Sequence, residues 1–245
     1  MKNIIIFVIF ILCLVLFQFI SAQSVDEVIN KYIVSRGGFD KLKSLHSVYM
    51  EGTREMMGGE VSVKMTKVDG KLFRTDFEFG GNSGYTIVTP DRGWTYIPMG
   101  SDKPVEMSSA MLYSMKMQMD IAGPLINYKS KGYKAELQGK ETVNGSETYK
   151  VVLTHHNGKS ITYFLDIETG LLVQSSQMSE GLSNNNGSQQ ITTLYKDYKE
   201  VDGIMFPQTI VTEGGGMSEG SINFDKIELN NQVDDRLYSP GNNLV

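Results

Sequence analysis

Four methionines recur at four-residue steps in a segment that lacks turn-forming residues. They are Met107, Met111, Met115 and Met119. Side chains four residues apart lie on one side of a helix, so this spacing predicts an amphipathic helix over residues 104–121 with a methionine stripe. Methionine is flexible and polarisable, and it suits irregular cores as well as surfaces that bind varied apolar ligands. The stripe is therefore either an ordinary packing face or the inner face of a lid over an acyl-chain cavity.

The same segment contains a motif with the chemistry of a copper site. Met115, Met117 and Met119 form M-x-M-x-M, and thioether sulfurs suit Cu(I). On a strand the three side chains would share one face, whereas on a helix Met117 points away from the other two. The helical prediction argues against copper, which stays open as an alternative.

The histidines do not have the spacing of a zinc site. His155 and His156 are adjacent on a predicted strand, so we expect them to point to opposite faces and not to share an ion. They precede Asn157-Gly158, a two-residue hairpin signal where exposed polar side chains are expected. His46 falls between a helix and a strand. The sequence thus predicts exposed histidines, no metal and no cofactor.

Catalytic motifs are weak. The stretch Gly81 to Gly84 resembles a nucleophile elbow only loosely, because Tyr85 stands where the closing glycine belongs, and a glycine-rich hairpin turn explains it better. Asp166 and Glu168 form a carboxylate pair at a hairpin end, where aspartate commonly bonds to the turn backbone. We therefore expect that the protein is not an enzyme.

Aromatic residues form two further groups on predicted strands. Phe73, Phe77 and Phe79 alternate with polar residues, so they share one strand face. Trp94 and Tyr96 share a face of a later strand by the same rule.

The ends and the composition limit the kind of protein. Residues 1–22 have the pattern of a signal peptide, with Lys2, an apolar stretch and Ser21-Ala22 at the cleavage site, although the stretch is also long enough for an uncleaved anchor. The only cysteine, Cys13, lies within it, so residues 23–245 contain no disulfide or thiolate site. The net charge is −5 and the basic residues are dispersed, which disfavours a nucleic-acid partner.

The predicted elements form one α+β domain over residues 23–245. Ser24 and Glu27 make a capping box for a helix that ends at Gly37-Gly38, and a short helix follows over residues 39–45. From Ser47 onward, about a dozen strands alternate apolar and polar residues between turn signals, among them the hairpin signals Asn144-Gly145 and Asp202-Gly203. An antiparallel sheet with helices on one face accommodates this order.

Four stretches of the sequence resemble one known superfamily. They are V-N-G-x-x-x-Y-K-V from Val143, Y-F-L-D-x-x-T-G-L from Tyr163, Y-x-D-Y-K-x-V-D-G-I-x-F-P from Tyr195, and VINKYIVSRGGFDKLKSLHSVYMEGT from Val28. This pattern is similar to the LolA/LolB/RseB lipoprotein-localisation superfamily, and above all to LolA-like periplasmic proteins of Bacteroidota. The resemblance implies a single curved antiparallel sheet, a half-barrel, with helices that cover its concave face.

A half-barrel places more apolar surface inward than two small helices can fill, and the surplus predicts a lipid-sized pocket. We expect its ligand-binding residues among the aromatic and methionine groups. They are Phe73, Phe77, Phe79, Trp94, Tyr96, Met111, Met115 and Met119. The resemblance implies a periplasmic carrier for the acyl chains of a lipoprotein or for a lipid, with membrane-bound donor and acceptor proteins as possible partners. The alternative is an RseB-like domain that senses envelope state without a transport role.

Overall fold

The computed structural model describes residues 23–56, 59–98, 100, 102–180, 188–214 and 219–241. The predicted signal peptide, residues 1–22, lies outside this part of the chain. Within it, no helix is long and apolar enough to cross a membrane.

Two helices precede the sheet, as the sequence predicts. Helix α1 (Val25–Ser35) begins at a complete capping box, in which the Ser24 hydroxyl accepts from the Glu27 amide and the Glu27 carboxylate accepts from the Ser24 amide. The helix buries Val28, Ile29 and Tyr32, and the short helix α2 (Phe39–Lys43) follows. The local capping signals therefore place α1 correctly.

The described residues form thirteen antiparallel strands in one open, curved sheet, which confirms the predicted half-barrel. The strands are β1 (Ser47–Met56), β2 (Gly59–Val68), β3 (Leu72–Phe79), β4 (Asn82–Val88), β5 (Gly93–Tyr96), β6 (Val105–Glu106), β7 (Lys134–Val143), β8 (Ser146–Thr154), β9 (Ser160–Asp166), β10 (Leu172–Glu180), β11 (Ser188–Val201), β12 (Ile204–Glu213) and β13 (Gly220–Leu229). Their spatial order is β6-β5-β4-β3-β2-β1-β13-β12-β11-β10-β9-β8-β7. Two meanders are thus joined where the first strand pairs with the last.

The junction of β1 with β13 brings two backbones unusually close at Gly52. The register shifts between Glu51 and Gly52, so that Gly52 lies opposite Phe224. A Cβ atom on Gly52 would lie 1.9 Å from the Asn223 carbonyl oxygen and 2.7 Å from the Phe224 Cα. Only glycine fits this approach without a backbone shift.

The main core lies on the inner, concave face of the sheet. Helix α1 packs there against strands of the second meander, and Leu125 and Ile126 from the connection between β6 and β7 join it. Side chains from β1 and β13, such as Met50 and Phe224, continue the same core across the junction. The two meanders therefore share one hydrophobic core.

The outer face of the first meander is covered by the C-terminal 3-10 helix Asp235–Tyr238. The buried Arg74 guanidinium donates to both carboxylate oxygens of Asp76, with a shortest distance of 2.6 Å, and to the Leu237 carbonyl oxygen at 3.1 Å. It also lies over the Tyr85 ring, 5.1 Å from the centroid. These contacts fix the C-terminal segment against β3 and β4.

The helix predicted over residues 104–121 is wrong in its extent. Val105–Glu106 instead form strand β6, and the Met107 amide donates to the Gly93 carbonyl oxygen at 2.8 Å. The Ser108 hydroxyl then accepts from the Met111 amide and starts helix α3 (Ser109–Met115), and a 3-10 helix, Lys116–Met119, follows it. Because residues 105 and 106 pair with β5, the start of the segment has an extended conformation. The helix begins only after the Ser108 cap.

The substitution Gly52→Ala tests the close junction. We expect it to lower the free energy of unfolding by about 3 kcal/mol or more, because overpacking against backbone cannot relax as overpacking against a side chain can. Chemical denaturation measures this change. Gly100→Ala is the control, since its Cβ would meet nothing nearer than 3.7 Å. Equal stabilities of the two variants would contradict the close approach at the junction.

Candidate functional site

The connection between β6 and β7 must cross the sheet, because these strands lie at its opposite edges, and its side chains pack on the inner face. We call residues 107–133 the crossing segment. Its first part contains α3 and the 3-10 helix and contacts strands of the first meander. Its second part, with Leu125, Ile126 and Tyr128, enters the main core beside α1. The topology therefore places a cover over the concave face.

The first part of the crossing segment lies on a separate apolar cluster. Phe73, Val88 and Met119 are its buried members. Four half-buried side chains pack around them: Met65, Met107, Leu112 and Met115. Helix α3 itself has no buried residue. It contacts the cluster only through the half-buried Leu112 and Met115, whereas α1 is anchored by fully buried side chains.

The predicted methionine stripe is out of phase with the inward face. Met111 is 46% exposed, and Leu112 takes the inward position together with Met115 and Met119. At 3.6 residues per turn, each four-residue step drifts by about 40°, so a strict four-residue row winds around the helix. The prediction of Met111 as a ligand-binding residue is wrong in orientation, while Met115 and Met119 do face the sheet.

The phenylalanines of β3 have the predicted alternation. Phe73 is buried in the apolar cluster, and Phe77 lies four residues further along the strand, on the same face. Phe77 pairs with Gly84, where a Cβ would lie 2.2 Å from the Phe77 ring, so this glycine makes room for the ring. Phe79 ends the strand opposite Asn82, and its side chain is outside the described part of the structure.

Trp94 and Tyr96 do not join this site. They pair with Ile87 and Tyr85, and all four face the outer side, where Leu237 and Tyr238 pack against them. The Tyr85 and Tyr96 rings are 5.5 Å apart. The grouping of Trp94 and Tyr96 with the inner phenylalanines is therefore wrong, because the sheet itself separates the two sets.

A cavity of 320 Å³ opens between the crossing segment and the loop that joins β8 to β9. It lies on the inner side of the sheet and has apolar and polar walls. Its lining residues are Tyr113, Ser114, Lys116, Met117, Asp120, Tyr133, His155, His156, Asn157, Lys159, Ser160, Ile161, Gln177 and Met178. Met117 thus lines the cavity, whereas Met115 and Met119 pack in the apolar cluster. The three thioethers of the copper motif lie in two different environments.

Both histidines line this cavity; His156 is exposed, as predicted, whereas the prediction of an exposed His155 is wrong. Strand β8 ends at Thr154 and β9 begins at Ser160, so residues 155–159 form a longer loop than the predicted two-residue turn. His155 is only 8% exposed, and its ring centroid lies 4.1 Å from that of Tyr133. His156 stacks near the same tyrosine, at 6.5 Å, so the histidines do not point to opposite faces.

Sequence reasoning missed His155 because its cover comes from Tyr133, which is distant in sequence and is brought beside it by the pairing of β7 with β8. Burial, and then the neighbouring His156, lower the pKa of His155. Its Nε2 atom has no hydrogen-bond partner among the described residues.

The His156 Nε2 and the Tyr113 hydroxyl are 3.4 Å apart across the cavity. In the described part of the chain, no three His, Cys, Asp or Glu side chains cluster in a way that could hold a metal ion.

Asp166, which the sequence pairs with Glu168, has the structural role that its position at a hairpin end suggests. Its carboxylate accepts from the amides of Glu168 and Thr169 at 3.0 and 2.7 Å. Burial would raise its pKa, but these turn hydrogen bonds outweigh that effect and lower it. Asp166 therefore shapes the hairpin between β9 and β10.

A lysine on the inner face was not predicted as part of the site. Lys67 pairs with Phe73 across β2 and β3, and its Nζ lies 5.4 Å from the Phe73 ring centroid. Desolvation lowers the pKa of Lys67 from 10.5 to about 8, and the Asp120 carboxylate opposes that shift. Asp120 forms its own ion pair with Lys131, at 2.6 Å. The apolar cluster therefore contains a half-buried amine whose charge is weakly compensated.

Comparisons with known proteins agree with this architecture. A family model described as "Uncharacterized protein" matches residues 83–242, which is more than half of the chain, so the chain belongs to that family. A sequence search of curated proteins gives no match.

Among solved structures, a LolA superfamily protein from Nitrosomonas europaea has a TM-score of 0.55 at 13% identity and covers 89% of this chain and 98% of its own. A DUF1329 family protein from Desulfovibrio piger has a TM-score of 0.51 at 15% identity, with coverage of 89% and 98%. A domain from Vibrio parahaemolyticus named for outer membrane lipoprotein sorting also has 0.51, at 12% identity, with coverage of 86% and 94%. The LolA-like fold inferred from the sequence motifs is therefore confirmed.

The substitution Lys67→Met tests the electrostatics of the inner face. Below pH 8 the amine is charged in both the folded and the unfolded chain, so the folded state bears the full cost of burying the charge. Between pH 8 and 10.5 the unfolded chain binds more protons, and the wild type gains stability as the pH rises. We expect Lys67→Met to be more stable than the wild type by about 2 kcal/mol at pH 7, since one pKa unit is worth about 1.4 kcal/mol and the side chain is only half-buried.

This advantage should shrink by pH 10, as measured by denaturation at several pH values. Comparison with the wild type at each pH cancels the contributions of the titratable groups that both chains share. Lys64→Met, at an exposed position on the outer face of the same strand, is the control and should not reproduce the stabilisation at pH 7. A Lys67→Met advantage that stays constant with pH would contradict the lowered pKa.

Proposed function

We propose that the protein binds the acyl chains of a lipoprotein or a lipid on the concave face of its half-barrel and carries this cargo through the periplasm. The observation that supports it most is the cover over the concave face. The crossing segment is seated on Phe73 and Val88 by side chains that are mainly methionines, and a cavity lies directly beside it. The action proposed is non-covalent binding and release rather than catalysis.

The cavity has a size suited to this role. Small-molecule sites have volumes of about 300–1,000 Å³, and the 320 Å³ cavity lies at the lower end of that range. If α3 moved away from the sheet, the surface now beneath Leu112 and Met115 would extend the cavity. Because each buried CH₂ contributes about 0.8 kcal/mol, a long chain on this surface would bind strongly.

Release then requires that the cover move at little cost. Helix α3 begins at the Ser108 cap and contributes only half-buried side chains to the contact with the sheet. An acyl chain can replace thioether contacts with contacts of similar quality, because methionine packs adaptably. The second part of the crossing segment stays fixed in the main core through Leu125 and Ile126. The proposed motion is a local displacement of residues 107–119.

The cellular role rests on the predicted signal peptide and on the fold. A cleaved segment 1–22 would deliver the protein to the periplasm, where membrane-bound donors and acceptors of lipid cargo would be its partners. The similar fold of the Vibrio parahaemolyticus domain named for lipoprotein sorting supports this class of function.

A pair of substitutions on α3 tests the cover. Met115→Asp places a carboxylate against the apolar cluster, whereas Met111→Asp places the same group on the exposed side of the same helix. We expect Met115→Asp to weaken binding of a fluorescent fatty acid at least about tenfold, because the acyl chain would have to desolvate the charge. We expect Met111→Asp to bind as the wild type does. Fluorescence titration measures the affinities.

Thermal melts of the same proteins separate binding from folding. If residues 107–119 form a movable cover, the aspartate at position 115 can remain hydrated and the protein should stay folded. An unfolded Met115→Asp variant would show that this face is rigid core. A folded variant with normal probe affinity would show that the chain binds elsewhere. Either result would sink the proposed role of the crossing segment.

A further inference from the structure

We propose that the cavity between the crossing segment and the β8–β9 loop recognises an anionic headgroup, a carboxylate or a phosphate, on an amphipathic ligand. This inference rests on the proposed function and specifies its ligand class. The cavity wall combines two lysines and two histidines with an apolar side, an arrangement that a chain-binding surface alone does not need.

The charge balance of the wall favours an anion. Lys116 and Lys159 both line the cavity, and neither amine has an ion-pair partner among the described residues. Asp120 is the one carboxylate among the lining residues, and it is already neutralised by Lys131 at 2.6 Å. The chain as a whole carries a net charge of −5, so this local excess of positive charge opposes the overall charge.

Neutral polar groups supplement the lysines. His155 is buried in the wall, and its Nε2 has no hydrogen-bond partner among the residues that the structure describes. A buried polar atom without a partner is costly, and a ligand oxygen would satisfy it. His156 and Tyr113 add a ring nitrogen and a hydroxyl that contact each other only loosely, at 3.4 Å. A carboxylate or phosphate has enough lone pairs to accept from several such donors at once.

The apolar side of the cavity fixes the orientation of the ligand. Ile161 packs against the main core, and Met117 lies on the 3-10 helix that ends at the apolar cluster. An acyl chain would leave the cavity along this side and pass under the crossing segment. The headgroup would then stay beside Lys116 and Lys159, which are both exposed to water. The ligand would thus be bound at both ends.

The test compares a fluorescent fatty acid with the fatty alcohol of the same chain, using the full-length mature protein. We expect the wild type to prefer the acid at least about tenfold, because hydrogen bonds to a charged group are stronger than those to a neutral hydroxyl. The double variant Lys116→Gln/Lys159→Gln should lose this preference and keep its affinity for the alcohol. Lys64→Gln, on the outer face, is the matched control and should keep the preference.

Competition with a monoacylglycerol phosphate of equal chain length distinguishes the two sources of negative charge. Tighter binding of this competitor than of the fatty acid would assign a phosphate headgroup, and weaker binding would assign a carboxylate. Equal affinity of the wild type for acid and alcohol, or a preference that survives in the double variant, would overturn the headgroup site and leave the carrier proposal intact. Failure of the wild type to bind either probe would overturn both.

Discussion

The pairing of β1 with β13 is the constraint on which the structure depends. It joins the first strand to the last and makes one sheet from two meanders, with the bulge at Gly52 as the point of closest approach. Because the meanders run outward from this junction, β6 and β7 become opposite edges of the sheet. The chain can connect these edges only by a long passage, and the concave face is where that passage lies. The cover over the inner face is thus a consequence of strand order.

The two covers of the concave face differ in how firmly they are held. Helix α1 contributes fully buried side chains to the main core, while α3 contributes none. Local stability follows the number of buried apolar contacts, so the part of the structure around α3 should open at a lower free energy than the part around α1. Methionine at the contact and a cavity beside it combine in the region where a carrier would need to open. A half-buried Lys67 and a buried His155 lie on this side of the sheet as well, and both cost stability that an apolar residue would not.

Capping and turn residues in the sequence predicted those elements whose conformation depends on residues close by in the chain. The capping box at Ser24 placed α1, and Asn144-Gly145 and Asp202-Gly203 have the positive φ angles that their hairpin turns require. Alternation identified which residues of β3 share a face. The errors arose where contacts with distant parts of the chain determine the orientation or burial of a residue. Trp94 faces outward because a C-terminal helix covers it, and His155 is buried because Tyr133 stacks on it. Residues 105 and 106 form a strand instead of a helix because they pair with β5.

Native mass spectrometry of the protein purified from its own host tests the central claim most directly. A chain that carries lipid on its concave face should retain a part of that cargo through gentle purification. We expect the mature polypeptide together with a second population, heavier by the mass of one lipid or acylated peptide. Release of that mass on collisional activation would show that it is bound without a covalent link. A single population at the mass of the bare polypeptide, from cells and buffers that preserve the lipid of a known carrier, would contradict the account.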